Sequence, residues 1–161
     1  MRIYKSHDVL GVEIGGALKN IIAFCCGIVA ELGLGTNASS AIITRGLAEI
    51  ARLGVKMGAS KDTFYGLSGL GDLILTCSSD ESRNRRAGRL IGKGLSIDEI
   101  KKEIGMTIES IDNIEIAHRL AEKYNVEMPI VKSVYDVIFN NKPMTDVSNS
   151  LMTRTIKFEN E

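Results

Sequence analysis

Apolar residues settle into a helical rhythm at about Asp8 and hold it to Leu34. Leu18, Ile21, Ile22, Cys25, Val29 and Leu32 recur three and four positions apart, the spacing that keeps side chains on one face of a helix. Gly33 and Gly35 stop that helix. Asn37 is placed to cap a second long helix, ASSAIITRGLAEIARLGVKM, which Gly58 closes. Ser60 heads a short helical turn, KDTFYGL, and Ser68 begins a further apolar segment, GLGDLILTC. After the polar SSDE comes SRNRRAGRLIGKG, closed by Gly92 or Gly94. Ser96 and Glu99 make a capping box for SIDEIKKEI. Ile111, Ile114, His118 and Ala121 share one face of a helix from about Ser110 to Tyr124. Pro129 suits the first position of PIVKSVYDVIFN, and a last helix covers about Thr145 to Met152 before a fraying tail. Only MRIY, at the start, reads as a short strand. The pattern predicts eight or nine helices with short connections, hence a single all-α domain over residues 1–161 with at most one short N-terminal strand.

Composition narrows the function classes. Twenty Lys and Arg balance twenty Asp and Glu, so the chain lacks the cationic excess of a nucleic-acid protein, and four Tyr with four Phe leave few platforms for stacking bases. The apolar stretch from Ile21 to Ala30 is half the roughly 20 residues a membrane span requires, and MRIYKSHDV lacks the apolar core of a signal peptide. Cys25, Cys26 and Cys77 have no metal-ligand spacing, and His7 and His118 add none, so no metal site is expected. The thiols read as reduced, buried small hydrophobes in a cytoplasmic protein.

GLGTNA, residues 33–38, fits the dinucleotide fingerprint G-x-G-x-x-G/A. That motif has meaning only between a strand and a helix. Here a long helical pattern precedes it and no second strand follows, so it is read as a helix-to-helix turn. The phosphate-binding half of a dinucleotide fold is therefore not expected in this chain.

Polar residues inside the apolar runs carry the candidate chemistry. Lys19 shares a helical face with Gly15, Gly16, Ile22 and Ala23, then Cys26 and Gly27. Adjacent glycines in a helix, at about 1 kcal/mol each against alanine, call either for close packing of a neighbour or for room beside the ammonium. Lys19 thus reads in two ways, as a lysine kept from water for proton transfer or as one that snorkels to solvent. Asp72 and Thr76 are four apart on one face of GLGDLILTC. Asp72 wants a cationic partner, for which Lys19 is the candidate, or it simply occupies the acid-favouring first turn of its helix. With Ser79 or Asp80 as N-cap, Arg83, Arg85 and Arg86 fall in the first two turns of the next helix. There they build either an anion site, with Ser82 and Asn84 as further donors, or a solvated basic face. Taken together the clusters suit a small phosphorylated substrate with a hydroxyl or carbonyl to be worked on.

VLGVEIGGALKNIIA followed by GLSGLGDLILTCSSDESRNRRAG closely resembles the C-terminal domain of NAD(P)-dependent glycerol-3-phosphate dehydrogenase, over about Arg2 to Thr155. The resemblance implies an all-α substrate domain of the 6-phosphogluconate dehydrogenase C-terminal-like class. It implies reversible reduction of dihydroxyacetone phosphate to sn-glycerol 3-phosphate with NAD or NADP as cofactor, feeding glycerophospholipid synthesis. By the same resemblance Lys19 is the proton donor or acceptor, followed by Asn20. Asp72 is the GD aspartate, with the Thr76 hydroxyl one turn on. Ser82, Arg83 and Asn84 hold substrate, with Arg83 also near the cofactor. The family's V-V-E-G segment, which approaches the cofactor, lines up with Thr107, Ile108, Glu109 and Ser110. Threonine for valine at 107 and serine for glycine at 110 depart from that pattern, and Glu109 keeps it.

The implied partners are a small phosphorylated substrate and a Rossmann domain, in cis or in trans. Neither nucleic acid nor a membrane is expected, and a homo-oligomer is compatible. Alone, the chain is expected to bind substrate weakly at best and to turn nothing over, because it cannot hold the dinucleotide. Two other readings stay open: a non-catalytic helical association module, and the substrate domain of a related β-hydroxyacid dehydrogenase.

Overall fold

The computed structural model describes residues 3–144. In chain order the helices are α1 (Val9–Glu31), α2 (Gly35–Met57), α3 (Lys61–Tyr65), a single π turn (Leu67–Gly71), α4 (Asp72–Ser78), α5 (Arg83–Gly92), α6 (Ile97–Ile104), α7 (Glu109–Tyr124) and α8 (Pro129–Phe139). The described residues hold no strand, as the all-α pattern requires. Ile3 and Tyr4 are exposed and irregular, so the N-terminal strand expectation fails where it can be tested. A lone extended segment in an all-helical fold has no ladder to join. The helix expected at Thr145–Met152, and the tail after it, lie outside the described residues.

α1 is the axle. Leu18, Ile21, Ile22, Phe24, Cys25, Cys26 and Val29 are all buried, because α2, α4, α5 and α7 pack around it on several sides. By length and composition alone α1 could cross a bilayer, yet 67% of its most apolar stretch is buried within the protein. Glycines let the neighbours close in. A Cβ on Gly27 would stand 2.0 Å from the Arg85 carbonyl oxygen, and one on Gly88 would stand 1.9 Å from that of Phe24. α1 and α5 therefore meet backbone to backbone, which fixes where α5 begins.

Local signals set most helix ends, with some corrections. Asp8 caps α1 by accepting from the Gly11 N–H at 3.0 Å. Gly33, at φ +68°, and Gly35, at φ +81°, turn the chain between α1 and α2, so GLGTNA is a helix-to-helix turn. That turn starts α2 at Gly35, which puts Asn37 inside the first turn rather than at the cap. Ser60 stands at the N-cap of α3 without a side-chain cap bond. Asp8 instead accepts from the Ser60 N–H at 2.9 Å and the Thr63 hydroxyl at 2.6 Å, tying α3 to the head of α1. Ser68 lies within the π turn and does not open α4. Ser82, not Ser79 or Asp80, caps α5, its hydroxyl accepting from the Arg85 N–H at 3.3 Å. The Ser96–Glu99 capping box and Pro129 at the start of α8 are as expected.

Candidate active site

Lys19 lies in the middle of α1, and Asp72 is the first residue of α4. Their side chains form an ion pair, with Lys19 21% and Asp72 35% exposed. Lys19 therefore does not run free to solvent, and Asp72 satisfies both readings of its position at once. The paired glycines before Lys19 divide the two roles considered for them. A Cβ on Gly15 would meet the Ser68 carbonyl at 3.3 Å, so Gly15 admits the π turn that leads into Asp72. A Cβ on Gly16 would meet nothing within 4 Å, so Gly16 leaves open space on the turn before Lys19.

Asn20 turns inward and is 4% exposed. Its amide donates to Glu109 Oε2 at 2.8 Å and more weakly to the Gly16 carbonyl at 3.4 Å. Glu109 opens α7, so this bond draws the α7 N-terminus to α1. A second bond reinforces it: Asn113 Nδ2 donates to the Ala17 carbonyl at 2.9 Å. Sequence reading missed Asn113. Its signal was present in the spacing, since Glu109 and Asn113 are four apart and share a helical face.

The head of α5 joins the same region. Asn84 is buried, and its Oδ1 accepts from the Ser110 N–H at 3.0 Å, which leaves the Asn84 NH₂ donors for another partner. Arg83 donates to the Thr107 carbonyl at 3.2 Å. Thus the Arg83–Thr107, Asn84–Ser110 and Asn20–Glu109 bonds link the head of α5, the start of α7 and α1, and Lys19 precedes Asn20 in the chain. Ser82 spends its hydroxyl as a cap acceptor but keeps its O–H donor. Thr76 does not reach the Asp72 carboxylate; its hydroxyl donates to the Asp72 backbone carbonyl at 2.7 Å. The rest of the arginine run divides: Arg85 pairs with Asp80 and Arg86 is exposed, while Arg89, further along α5, pairs with Glu31 at 3.2 Å.

The cysteines stay outside this constellation. All three are free and buried. Burial pushes the Cys25 thiol well up. Cys77 is also held up, first by the hydrogen bond its thiol shares with Cys26 and then by burial. The same bond from Cys77, with the Arg85 charge adding to it, holds the Cys26 thiol below its usual value against burial, while Cys25 and Cys77 behave as protonated core side chains. Among the described residues no group of three His, Cys, Asp or Glu could hold a metal ion.

A paired ammonium and carboxylate next to the open space at Gly16 can move a proton on a small molecule, and a helix N-terminus carrying arginine and asparagine can grip an anion. Known proteins are similar to this chain in sequence and in fold. Residues 8–149 match the family model described as "NAD-dependent glycerol-3-phosphate dehydrogenase C-terminus". A glycerol-3-phosphate dehydrogenase [NAD(P)+] of Bacillus cereus is 55% identical over 160 residues, 99% of this chain and 47% of the relative. The chain thus spans about half the length of the curated relatives it matches. The crystal structure of glycerol-3-phosphate dehydrogenase from Coxiella burnetii superimposes with a TM-score of 0.91 at 42% identity, covering 95% of this chain and 47% of that one. The enzyme from Saccharomyces cerevisiae gives a TM-score of 0.79 at 36% identity, covering 88% and 42%. The chain belongs to the family of NAD-dependent glycerol-3-phosphate dehydrogenase C-terminal domains.

Proposed function

We propose that this chain is the substrate-binding and catalytic half of a glycerol-3-phosphate dehydrogenase, acting on dihydroxyacetone phosphate and sn-glycerol 3-phosphate. The observation that carries the reading is the Lys19–Asp72 pair, set beside the open space at Gly16. In the reducing direction Lys19 delivers a proton to the C2 oxygen of the ketone, and in the oxidising direction it takes that proton back. Asp72 holds the ammonium in place. Arg83 and the free donors of Asn84 bind the phosphate at the α5 N-terminus, with Ser82 as a further donor. Thr76, one turn from Asp72, adds a hydroxyl oxygen on the substrate side, and the buried Asn20 acts from behind by holding Glu109.

A bound NAD or NADP supplies the hydride. This chain can contribute only an edge to that cofactor, at Arg83 and at Thr107 and Glu109, both of which are exposed. Its one fingerprint-like segment is the turn between α1 and α2, and no described strand could carry a pyrophosphate loop. A Rossmann domain, in cis or in trans, is therefore the partner that completes the enzyme, and relatives about twice as long leave room for one. Free thiols agree with a cytoplasmic setting.

The association-module reading would gain from Lys19 in open solvent with Asp72 elsewhere, and the Lys19–Asp72 ion pair does not favour it; the full discriminator is whether Arg83 converges with that pair on bound substrate. The test joins this chain to a Rossmann half and compares wild type with Lys19→Ala. The expected loss in kcat is at least about 100-fold, the usual worth of a positioned acid–base group. An unchanged kcat removes Lys19 from the mechanism. Titration with sn-glycerol 3-phosphate against a 2-hydroxy acid separates this substrate class from that of the β-hydroxyacid dehydrogenases.

A further inference from the structure

We infer that Asn113, together with Glu109, is a positioning residue that sets Lys19 against Asp72 by gripping α1 on both sides of the lysine. The inference rests on the reading of Lys19 as the proton-transfer group.

Glu109 and Asn113 project from one face of α7, one turn apart. Asn113 Nδ2 donates to the Ala17 carbonyl at 2.9 Å, and Glu109 Oε2 accepts from Asn20 Nδ2 at 2.8 Å. Ala17 and Asn20 bracket Lys19 in the chain. The clamp is itself anchored, because the Ser110 N–H at the head of α7 donates to Asn84 of α5 at 3.0 Å. Elsewhere on the same stretch of α1, Gly15 sets the approach of the π turn that leads into Asp72. The register of the Lys19 ammonium against the Asp72 carboxylate is thus the joint product of two contacts on one turn of α1.

The chemistry of the Asn113 bond points to position rather than satisfaction. A carbonyl in a helix interior already accepts from the N–H four residues on, so Ala17 does not need a second donor. An apolar residue of similar size would cover that surface at no polar cost. What asparagine adds is direction, since its hydrogen bond holds α1 at one rotation and one height against α7.

Lys19 remains partly exposed, so its accessibility to an amine reagent reports how firmly the pair is held. The experiment is acylation of the whole chain at limiting reagent, read lysine by lysine by mass spectrometry. Asn113→Leu should raise Lys19 labelling about fivefold relative to the other lysines, the population change that loss of one hydrogen bond permits. Asn113→Asp, isosteric but without the donor, should act in the same direction. Glu109→Ala should do likewise, and Glu109→Gln, which keeps an acceptor for Asn20, should return the rate to that of the wild type. Arg52→Ala serves as the control, because it removes a side chain-to-carbonyl bond of the same kind, to Glu127 at 3.2 Å between α2 and the residues before α8. It should leave Lys19 unchanged. Equal Lys19 labelling in wild type and both Asn113 variants overturns the inference, as does an equal rise in the Arg52 control, which would mean general loosening. Millimolar sn-glycerol 3-phosphate with NAD, added to the wild-type chain joined to a Rossmann half, gives a separate answer: failure to protect Lys19 counts against the substrate reading, while the response to Asn113 is judged by the unliganded rates.

Discussion

Gly88→Ala should destabilise the protein although it replaces a poor helix former with the best one. In an isolated helix this change would gain about 1 kcal/mol. At this position the new Cβ would stand 1.9 Å from the Phe24 carbonyl oxygen, 2.8 Å from its carbon and 3.1 Å from its Cα. The obstacle is backbone in the middle of α1, so no rotamer change relieves it. α5 must retreat by about 1 Å, and closely packed neighbours do not follow such a shift. Ala87, Leu90 and Ile91 of α5 are buried, so the separation loosens the contact that seats the helix. Overpacking of this kind costs about 1–3 kcal/mol, and the upper end applies where backbone meets backbone. With the helix gain deducted, the expected net loss is about 2 kcal/mol. Urea unfolding followed by far-UV circular dichroism measures it as a lower midpoint at unchanged slope. Gly16→Ala is the internal comparison, because its Cβ would meet nothing within 4 Å. That variant should gain up to about 1 kcal/mol in the same assay. It should nonetheless bind substrate more weakly, because the methyl intrudes on the space beside Lys19. A Gly88→Ala variant as stable as wild type would refute the claim that close approach of two backbones places α5.

Two further predictions concern carboxylates. Glu49, 1% exposed on α2, accepts from the Ile130 and Val131 N–H groups at 2.8 and 3.3 Å and so caps α8 from a distance. Glu49→Ala should cost about 3 kcal/mol in urea unfolding, since it empties a buried site and orphans two donors, and a loss below about 1 kcal/mol would argue against the capping role. Asp8 is held below the usual carboxylate range, first by the Thr63 hydroxyl and then by the Gly11 N–H, with burial opposing and the Ser60 N–H adding to the lowering. A carboxyl depressed in the folded state contributes stability above its unfolded value near 4, and the contribution is lost as pH falls through the folded value. Asp8→Asn should therefore flatten the acid limb of a pH–stability profile below about pH 5, and an unaltered limb would contradict the assignment.

The pattern of apolar positions was enough to read the helices, because burying one stripe at a 3.6-residue period is a local property. Caps whose partner lies three residues away were also legible, as with Ser96 and Glu99. Errors arose where the partner is distant or the geometry is unusual. Asn37 has the chemistry of a cap, but the glycine turn starts α2 before it. Ser60 looks like a cap, but the carboxylate that receives its N–H is that of Asp8. Pro129 marked the start of α8, while the side chain that caps it, Glu49, comes from another helix. The candidate site divides the same way. Lys19, Asp72 and the S-R-N run stood out in sequence as polar interruptions, whereas Asn113 looked like any exposed polar residue of an amphipathic helix.

Residue types and their periodicity by themselves determined that this chain is helical, which residues form its core and which few polar side chains are worth asking about. Only the tertiary structure decided that Lys19 meets Asp72, that Gly15 and Gly16 serve different ends, and that the head of α7 meets Asn84 of α5 through Ser110 and Asn20 of α1 through Glu109. The reason is one of range. A helix is fixed by hydrogen bonds four residues long, but the meeting of side chains from distant helices is fixed by where backbones can touch, and that depends on every helix packed around α1 at once.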